Sequence, residues 1–256
     1  MMAHLNVTQF DKISLDEMSG IRLMSRIDSK YVVTLNQLQM ILAQLENDYY
    51  IQEIQGNRIF DYATLYYDTP GYHMYLEHLN GKLNRLKIRT REYTESHLCF
   101  LEIKTKSNKG ITEKIRIRHE RPETIESEPS RVFIEGHSPY SESCLEGKIW
   151  SYYKRITLVN KQKSERLTID LDLRFQNNTS HQVVELPGMA IIEVKKNNEA
   201  YSPALELFAQ MRMRESGLSK YCIGVALTEP NIKKNKLKSK LLMLNKITHI
   251  VYESIG

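Results

Sequence analysis

The sequence predicts an α+β protein built on a large, mostly antiparallel sheet or on a closed barrel. Three observations point there. Runs rich in β-branched and aromatic residues recur along the whole chain, with only a few helical stretches between them. Most of these runs alternate charged and apolar side chains with a period of two. Their charged faces share one bias, toward the cationic, as the faces lining one interior would.

The elements follow in order. Residues 26–33 read as a strand. Residues 34–47 read as a helix, because Leu35, Leu38, Ile41, Leu42 and Leu45 keep the 3.6-residue period and Thr34 with Gln37 forms a capping box. A strand at 60–68 precedes a short helix at 71–80 that Gly81 ends. Strands follow at 84–93, 98–106 and 112–118. The polar stretch 119–147 is mostly loop with room for one short helix. Strands at 153–159, 166–174, 181–186 and 190–196 lead to a helix at 203–214, with Ser202 as N-cap and Pro203 in its first turn. A last strand is expected at 221–227.

Composition excludes several classes. Hydrophobic residues make up 41% of 256, enough for a packed core. Cys99, Cys144 and Cys222 are odd in number and contain no CxxC pair, so neither a disulfide framework nor a zinc site is expected. The eight histidines form no ligand pattern. There is no glycine-rich phosphate loop, so a nucleotide would be held by side chains. The opening "MMAHLNVTQFDK" has no signal-peptide apolar run, and no stretch approaches the ~18 apolar residues of a membrane span, so a cytoplasmic protein is expected.

Alternation sorts the charge. In "NRLKIRTRE", Arg85, Lys87, Arg89 and Arg91 point one way while Leu86 and Ile88 point the other. Neighbours about 7 Å apart repel by roughly 2 kcal/mol at an effective dielectric of ~20. The same reading aligns Arg26, Asp28 and Lys30; Glu102, Lys104 and Lys106; Lys114, Arg116 and Arg118; Tyr153 and Arg155; Arg166, Asp170, Asp172 and Arg174; and Glu193 with Lys195. These faces carry fifteen basic and five acidic residues, whereas the whole chain has a net charge of only +5. A merely solvated face mixes signs to limit repulsion. A cationic wall this rich in arginine suits a polyanion, because the guanidinium keeps its charge and its planar fork matches phosphate oxygens.

The motifs, in order, resemble those of the VTC (vacuolar transporter chaperone) domain of polyphosphate polymerases, within the wider CYTH-like triphosphate tunnel metalloenzymes. They are "RIDSKY" (26–31), "YYDT" (66–69), "GKLNRLKIRTREY" (81–93), "LEIKTK" (101–106), "EKIRIR" (113–118), "YYKRITL" (152–158), "RLTIDLDLRF" (166–175), "IIEVK" (191–195) and "LSKYCIG" (218–224). The resemblance spans roughly residues 20–228. It implies a closed antiparallel barrel of about eight strands with flanking helices and a basic tunnel that binds triphosphate and polyphosphate, together with a divalent cation, Mn or Mg. Carried over by position, Lys30, Arg89, Arg91, Lys104, Arg155, Arg166 and Lys220 would hold the reacting phosphates, with Tyr153 beside them. Lys114 and Arg116 belong with them in an open register. Arg26, Arg85, Lys87, Lys106, Arg118 and Lys195 extend the cationic wall. Glu193 would be the metal ligand, with Glu102 and Asp170 as further candidates.

Two departures stand out. Hydrolytic relatives open with E-x-E-x-K, whereas this chain reads Arg26, Asp28, Lys30, as in the polymerase branch. Gly217 stands three residues before Lys220, where the polymerases have a second lysine. The expected function is transfer of the ATP γ-phosphate to a growing polyphosphate chain. Two rivals stay open: a non-catalytic polyphosphate- or nucleotide-binding module of a larger membrane-associated assembly, and an inorganic triphosphatase. Nucleic acid is not the expected partner, since no RNP-type aromatic pattern or helix-turn-helix signal appears.

Residues 1–230 are expected to form the tunnel domain. The tail 231–256, with Lys233, Lys234, Lys236, Lys238 and Lys240 ahead of Leu241, Leu242 and Leu244, reads as an amphipathic helix on the same domain. An anionic membrane surface or a membrane-protein partner stays open for it.

Overall fold

The structure, a computed structural model, describes residues 5–19, 26–108 and 112–252, with the side chains of Ser19 and Arg26 outside that set. The described elements are β1 (Asp11–Ile13), α1 (Leu15–Ser19), β2 (Arg26–Thr34), α2 (Leu35–Leu45), β3 (Tyr49–Gln52), β4 (Phe60–Asp68), α3 (His73–Leu79), β5 (Arg85–Tyr93), β6 (Leu98–Lys106), β7 (Thr112–His119), α4 (Glu128–His137), β8 (Glu146–Asn160), β9 (Glu165–Asn177), β10 (Val183–Asn197), α5 (Pro203–Gln210), α6 (Lys220–Thr228) and α7 (Lys238–Thr248). Strand pairing follows the order β2-β10-β9-β8-β4-β5-β6-β7, with β3 also on β8 and β1 parallel to β3. The other ladders with a defined register are antiparallel. Among the described residues no ladder joins β2 to β7.

The chain divides into two compact units. The first comprises Met1–Phe60, Lys154–Leu173 and Leu186–Leu218. Its core lies on the apolar strand faces, where Ile156, Leu158, Leu167, Ile169, Ile192 and Val194 meet Leu38, Ile41 and Leu42 of α2 and Phe208 of α5. α2 starts as its capping box dictates: Thr34 Oγ1 accepts the Gln37 N–H at 3.2 Å, and Gln37 Oε1 accepts the Thr34 N–H at 2.9 Å.

The second unit comprises Asp61–Tyr153, Arg174–Glu185 and Ser219–Gly256. Leu65, Tyr67, Ile88, Leu101 and Ile103 turn to the face covered by Phe133 and Ile134 of α4. The tail forms α7, which buries Leu241 and Leu244 and leaves Lys238 and Lys246 exposed. No helix among the described residues is long and apolar enough to cross a membrane.

Three expectations change. Residues 221–227 are a helix, α6, and not a strand. "KYCIGVALT" is apolar on almost every side, and a helix buried all round shows no 3.6-residue period to separate it from a buried strand. The strands expected at 181–186 and 190–196 merge into one, β10 (Val183–Asn197), which runs through Pro187 and Gly188; the glycine has a φ of +72°. Asp172 sits inside β9 at a φ of +49°, which breaks the alternation. Arg174 therefore lies over the Tyr152 ring, at 5.1 Å, on the opposite side from the expected one.

Candidate functional site

In the second unit the β4–β5–β6–β7 registers fix which side chains share a face. Antiparallel partners point the same way. Tyr66, Arg89, Glu102 and Arg116 form one row across the four strands. Thr64, Arg91, Phe100 and Arg118 form the row on one side of it. Lys87, Lys104 and Lys114 form the row on the other, followed by Arg85 and Lys106. The open register of "EKIRIR" is thereby settled: Lys114, Arg116 and Arg118 share the face of Arg89.

Glu102 is the one carboxylate in the middle of this face and is fully buried. Arg89 donates to its Oε2 through Nε at 2.9 Å and Nη2 at 2.7 Å, and Lys114 Nζ lies 3.1 Å from Oε1. Burial pushes the Glu102 carboxyl up, but Arg89, Arg91 and Lys114 outweigh it and hold the group well below the usual carboxylate range. Arg91 is only 8% exposed and makes no ion pair among the described residues. Its Nε donates to Thr64 Oγ1 at 3.3 Å, and its guanidinium lies 5.7 Å from the centre of the Tyr62 ring. A buried guanidinium that bonds a hydroxyl, lies against an aromatic face and makes no ion pair among the described residues has the chemistry of an anion receptor.

α6 brings a further cation to this unit. Ser219 caps the helix, its Oγ accepting the Cys222 N–H, and takes a hydrogen bond from Lys87 Nζ at 2.9 Å. Lys220 stands at the first helical position, 4.6 Å from the centre of the Tyr153 ring. Tyr221 locks the helix down by donating to Asp68 Oδ2 at 2.5 Å, while Asp68 also accepts the N–H groups of Met74 and Tyr75 at the start of α3. Tyr66 stacks on Tyr221 and accepts from Arg89 Nη1 at 3.3 Å. Burial pushes its phenol up, yet Arg89, Arg91 and Lys220 outweigh that and bring it below the ordinary value.

The first unit holds a separate cluster. Lys30 and Glu193 are register partners, as are Asp28 and Lys195. Glu193 meets Lys30 at 3.6 Å through Oε1 and Lys195 at 2.7 Å through Oε2. Burial, with the Arg155 charge nearby, lowers the Lys195 ammonium below its usual range against the pull of Glu193. Arg155 clasps Asp170 through two bonds, Nε to Oδ1 at 2.6 Å and Nη2 to Oδ2 at 2.9 Å. Arg166 lies on β9, four residues before Asp170. Arg26 falls on β2 opposite Asn197, with its side chain outside the described residues.

Metal chemistry is testable against these donors. Among the described residues no group of three or more His, Cys, Asp or Glu side chains converges. Both oxygens of Glu102 and both of Asp170 are taken by cations. Glu193, which meets Lys30 and Lys195, and Asp28 lie diagonally on one face of the β2–β10 ladder. Two hard carboxylates fit a magnesium- or manganese-type ion that completes its shell with substrate phosphates and water, and do not make a protein-only cage.

Sequence reasoning did not assign roles to Tyr62, Thr64, Tyr66, Asp68 or Tyr221. "FDYATLYYD" is apolar at both parities, so alternation cannot say which tyrosines face the charge. The available signal was Asp68 itself, a carboxylate ending an apolar strand.

No curated protein sequence matches this chain. Several solved structures do. A "putative adenylate cyclase" from Vibrio parahaemolyticus aligns at 12% identity and a TM-score of 0.48 over 79% of this chain and 99% of that one. A "putative adenylyl cyclase" from Hippeastrum, described as having a dominant triphosphatase activity, aligns at 15% identity and a TM-score of 0.46 over 78% and 94%. A conserved hypothetical protein from Pyrococcus furiosus aligns at 12% and 0.40 over 77% and 96%. One family model, that of the VTC domain, matches residues 25–229. With most of its length matched in this way, the chain belongs to the VTC domain family.

Proposed function

We propose that this chain is a polyphosphate-polymerase-like domain that binds a nucleoside triphosphate and polyphosphate and transfers the γ-phosphoryl group to a growing polyphosphate chain. The observation that carries the reading is Arg91, buried beside Arg89 on a cationic strand face and without an ion pair among the described residues. Family membership supports it independently.

Phosphoryl transfer asks little covalent chemistry of a protein. It asks for alignment and for neutralisation of the charge on a loose, highly charged transition state. In the proposed reaction a terminal oxygen of the acceptor polyphosphate attacks the γ-phosphorus. The bond from that phosphorus to the β-bridging oxygen breaks, and the nucleoside diphosphate leaves. Arg89, Arg91, Lys104, Lys220 and the lysine row orient phosphate oxygens in the second unit. Lys30, Arg155 and Arg166 supply phosphate ligands in the first. A divalent ion, when bound, would be held by Glu193 with Asp28 and would draw charge off phosphate oxygens. The proposed setting is cytoplasmic, at most peripheral to a membrane.

A second reading, binding without turnover, is favoured by one observation. Gly217 has a φ of +55°, a conformation that penalises the lysine found there in the polymerases. Incubation with ATP and Mn²⁺ separates the two. Acid-labile polymer, lost in Arg89→Ala and Glu193→Ala, establishes synthesis. Orthophosphate release from tripolyphosphate without polymer indicates hydrolysis. Binding with neither product leaves the binding module.

A further inference from the structure

The cationic face of the second unit is not uniform. Near the β5–β6 turn its charge gives way to rings. Tyr62 and Tyr93 are register partners with ring centres 5.0 Å apart. Tyr62 stacks on Tyr153 at 5.2 Å, with the planes 9° apart. Tyr93 meets Phe100 edge-on at 6.0 Å. Tyr62 and Tyr153 are buried and form a floor, whereas Tyr93 and Phe100 are only partly buried. Phe100 is the register partner of Arg91, and the exposed Arg116 lays its guanidinium 4.3 Å from the centre of the Phe100 ring.

From this arrangement we infer that Phe100, Tyr93 and Arg116 form a nucleobase subsite, so that the ligand of this face is a nucleoside triphosphate whose base stacks between Phe100 and the Arg116 guanidinium. The inference rests on the phosphate-binding reading given above and deepens it by assigning the residues that take the base. A phosphate chain gains nothing from an aromatic ring, while a base stacks on one whatever its identity. Arg116 is exposed, so it can lift from Phe100 by rotamer change and close again over a base. The row order also gives the ligand a direction. Successive rows lie roughly 7 Å apart along the strands. A base at Phe100 places the first phosphates beside Arg91 and Arg89. The terminal phosphates then point toward Lys87, Lys104 and Lys114, three lysines in register across β5, β6 and β7.

Titration calorimetry with ATP and, separately, with tripolyphosphate tests this on the full chain. Phe100→Leu and Tyr93→Leu each keep an apolar strand residue and remove a ring. Each variant is expected to bind ATP about tenfold more weakly while its tripolyphosphate affinity stays within twofold. Equal losses for both ligands, or no loss for ATP, would overturn the subsite and leave the phosphate face standing. If the unaltered protein binds neither ligand, the phosphate-binding reading fails and the subsite with it.

Discussion

Arg89 on β5 and Glu102 on β6 are register partners, and the guanidinium spends two of its donors on one buried carboxylate oxygen. Lys114 takes the other oxygen from the opposite side. One carboxylate thus compensates two cations and leaves each with donors to spare for phosphate. The arrangement places a counter-charge for Arg89 and Lys114 in the middle of the cationic face.

Glu102→Gln should therefore destabilise the protein by about 3 kcal/mol, because two partly buried cations lose their partner. Tripolyphosphate should return much of that stability, giving the variant a larger ligand-induced rise in Tm than the unaltered protein. Thermal unfolding with and without tripolyphosphate measures both. Equal rises would contradict the counter-charge role.

The same carboxylate sets an acid response. Its folded-state pKa is depressed below the ordinary value of 4.5. The folded state therefore binds its proton less readily than the unfolded chain, so this contribution to stability is fully present above pH ~4.5 and is lost as pH falls below it. Urea midpoints taken from pH 7 down to pH 3 should decline, and Glu102→Gln should flatten the decline. An unchanged slope in the variant would count against the assignment.

Arg91 should behave in the opposite sense. Replacing it with methionine removes a buried guanidinium that makes no ion pair among the described residues, so stability should hold or rise. Tripolyphosphate affinity should fall by about 10- to 100-fold, the scale of one or two charge-assisted hydrogen bonds. Denaturant melts paired with binding titrations check this. A variant that loses stability and keeps its affinity would show Arg91 to be structural.

The seat of α6 depends on Gly224. A Cβ there would meet Ile149 Cγ2 at 2.6 Å and Phe175 Cδ1 at 2.9 Å. Gly224→Ala should cost about 1–3 kcal/mol as the helix shifts off the sheet. Because α6 carries Lys220 and, through Ser219, engages Lys87, phosphate binding should weaken in parallel. Full stability in this variant, by urea melt, would mean that the helix is less tightly seated than described.

The hairpins β5–β6–β7 were legible in the sequence because each has a single buried face, so Leu86 and Ile88 against Arg85, Lys87 and Arg89 fixes the orientation of every side chain. The capping box of α2 was legible for a similar reason, its signal being local. Legibility failed where burial is two-sided. α6 has no polar face to betray its period, and β4 hides Tyr62 and Tyr66 among equally apolar neighbours. It failed again at Asp172, where one positive φ flips the strand and sends Arg174 to Tyr152; nothing local in "IDLDLR" marks the kink. The candidate phosphate ligands follow from motif order alone, and their grouping within each unit comes from the registers and contacts.

The central claim is that the Arg89–Arg91 face receives a chain of phosphates. Calorimetric titration of the purified protein with tripolyphosphate at low salt, with and without Mn²⁺, tests it most directly. The account predicts saturable binding that weakens as salt rises and disappears in the double variant Arg89→Ala/Arg91→Ala. No saturable binding under either condition, or binding that survives the loss of both arginines, would contradict it.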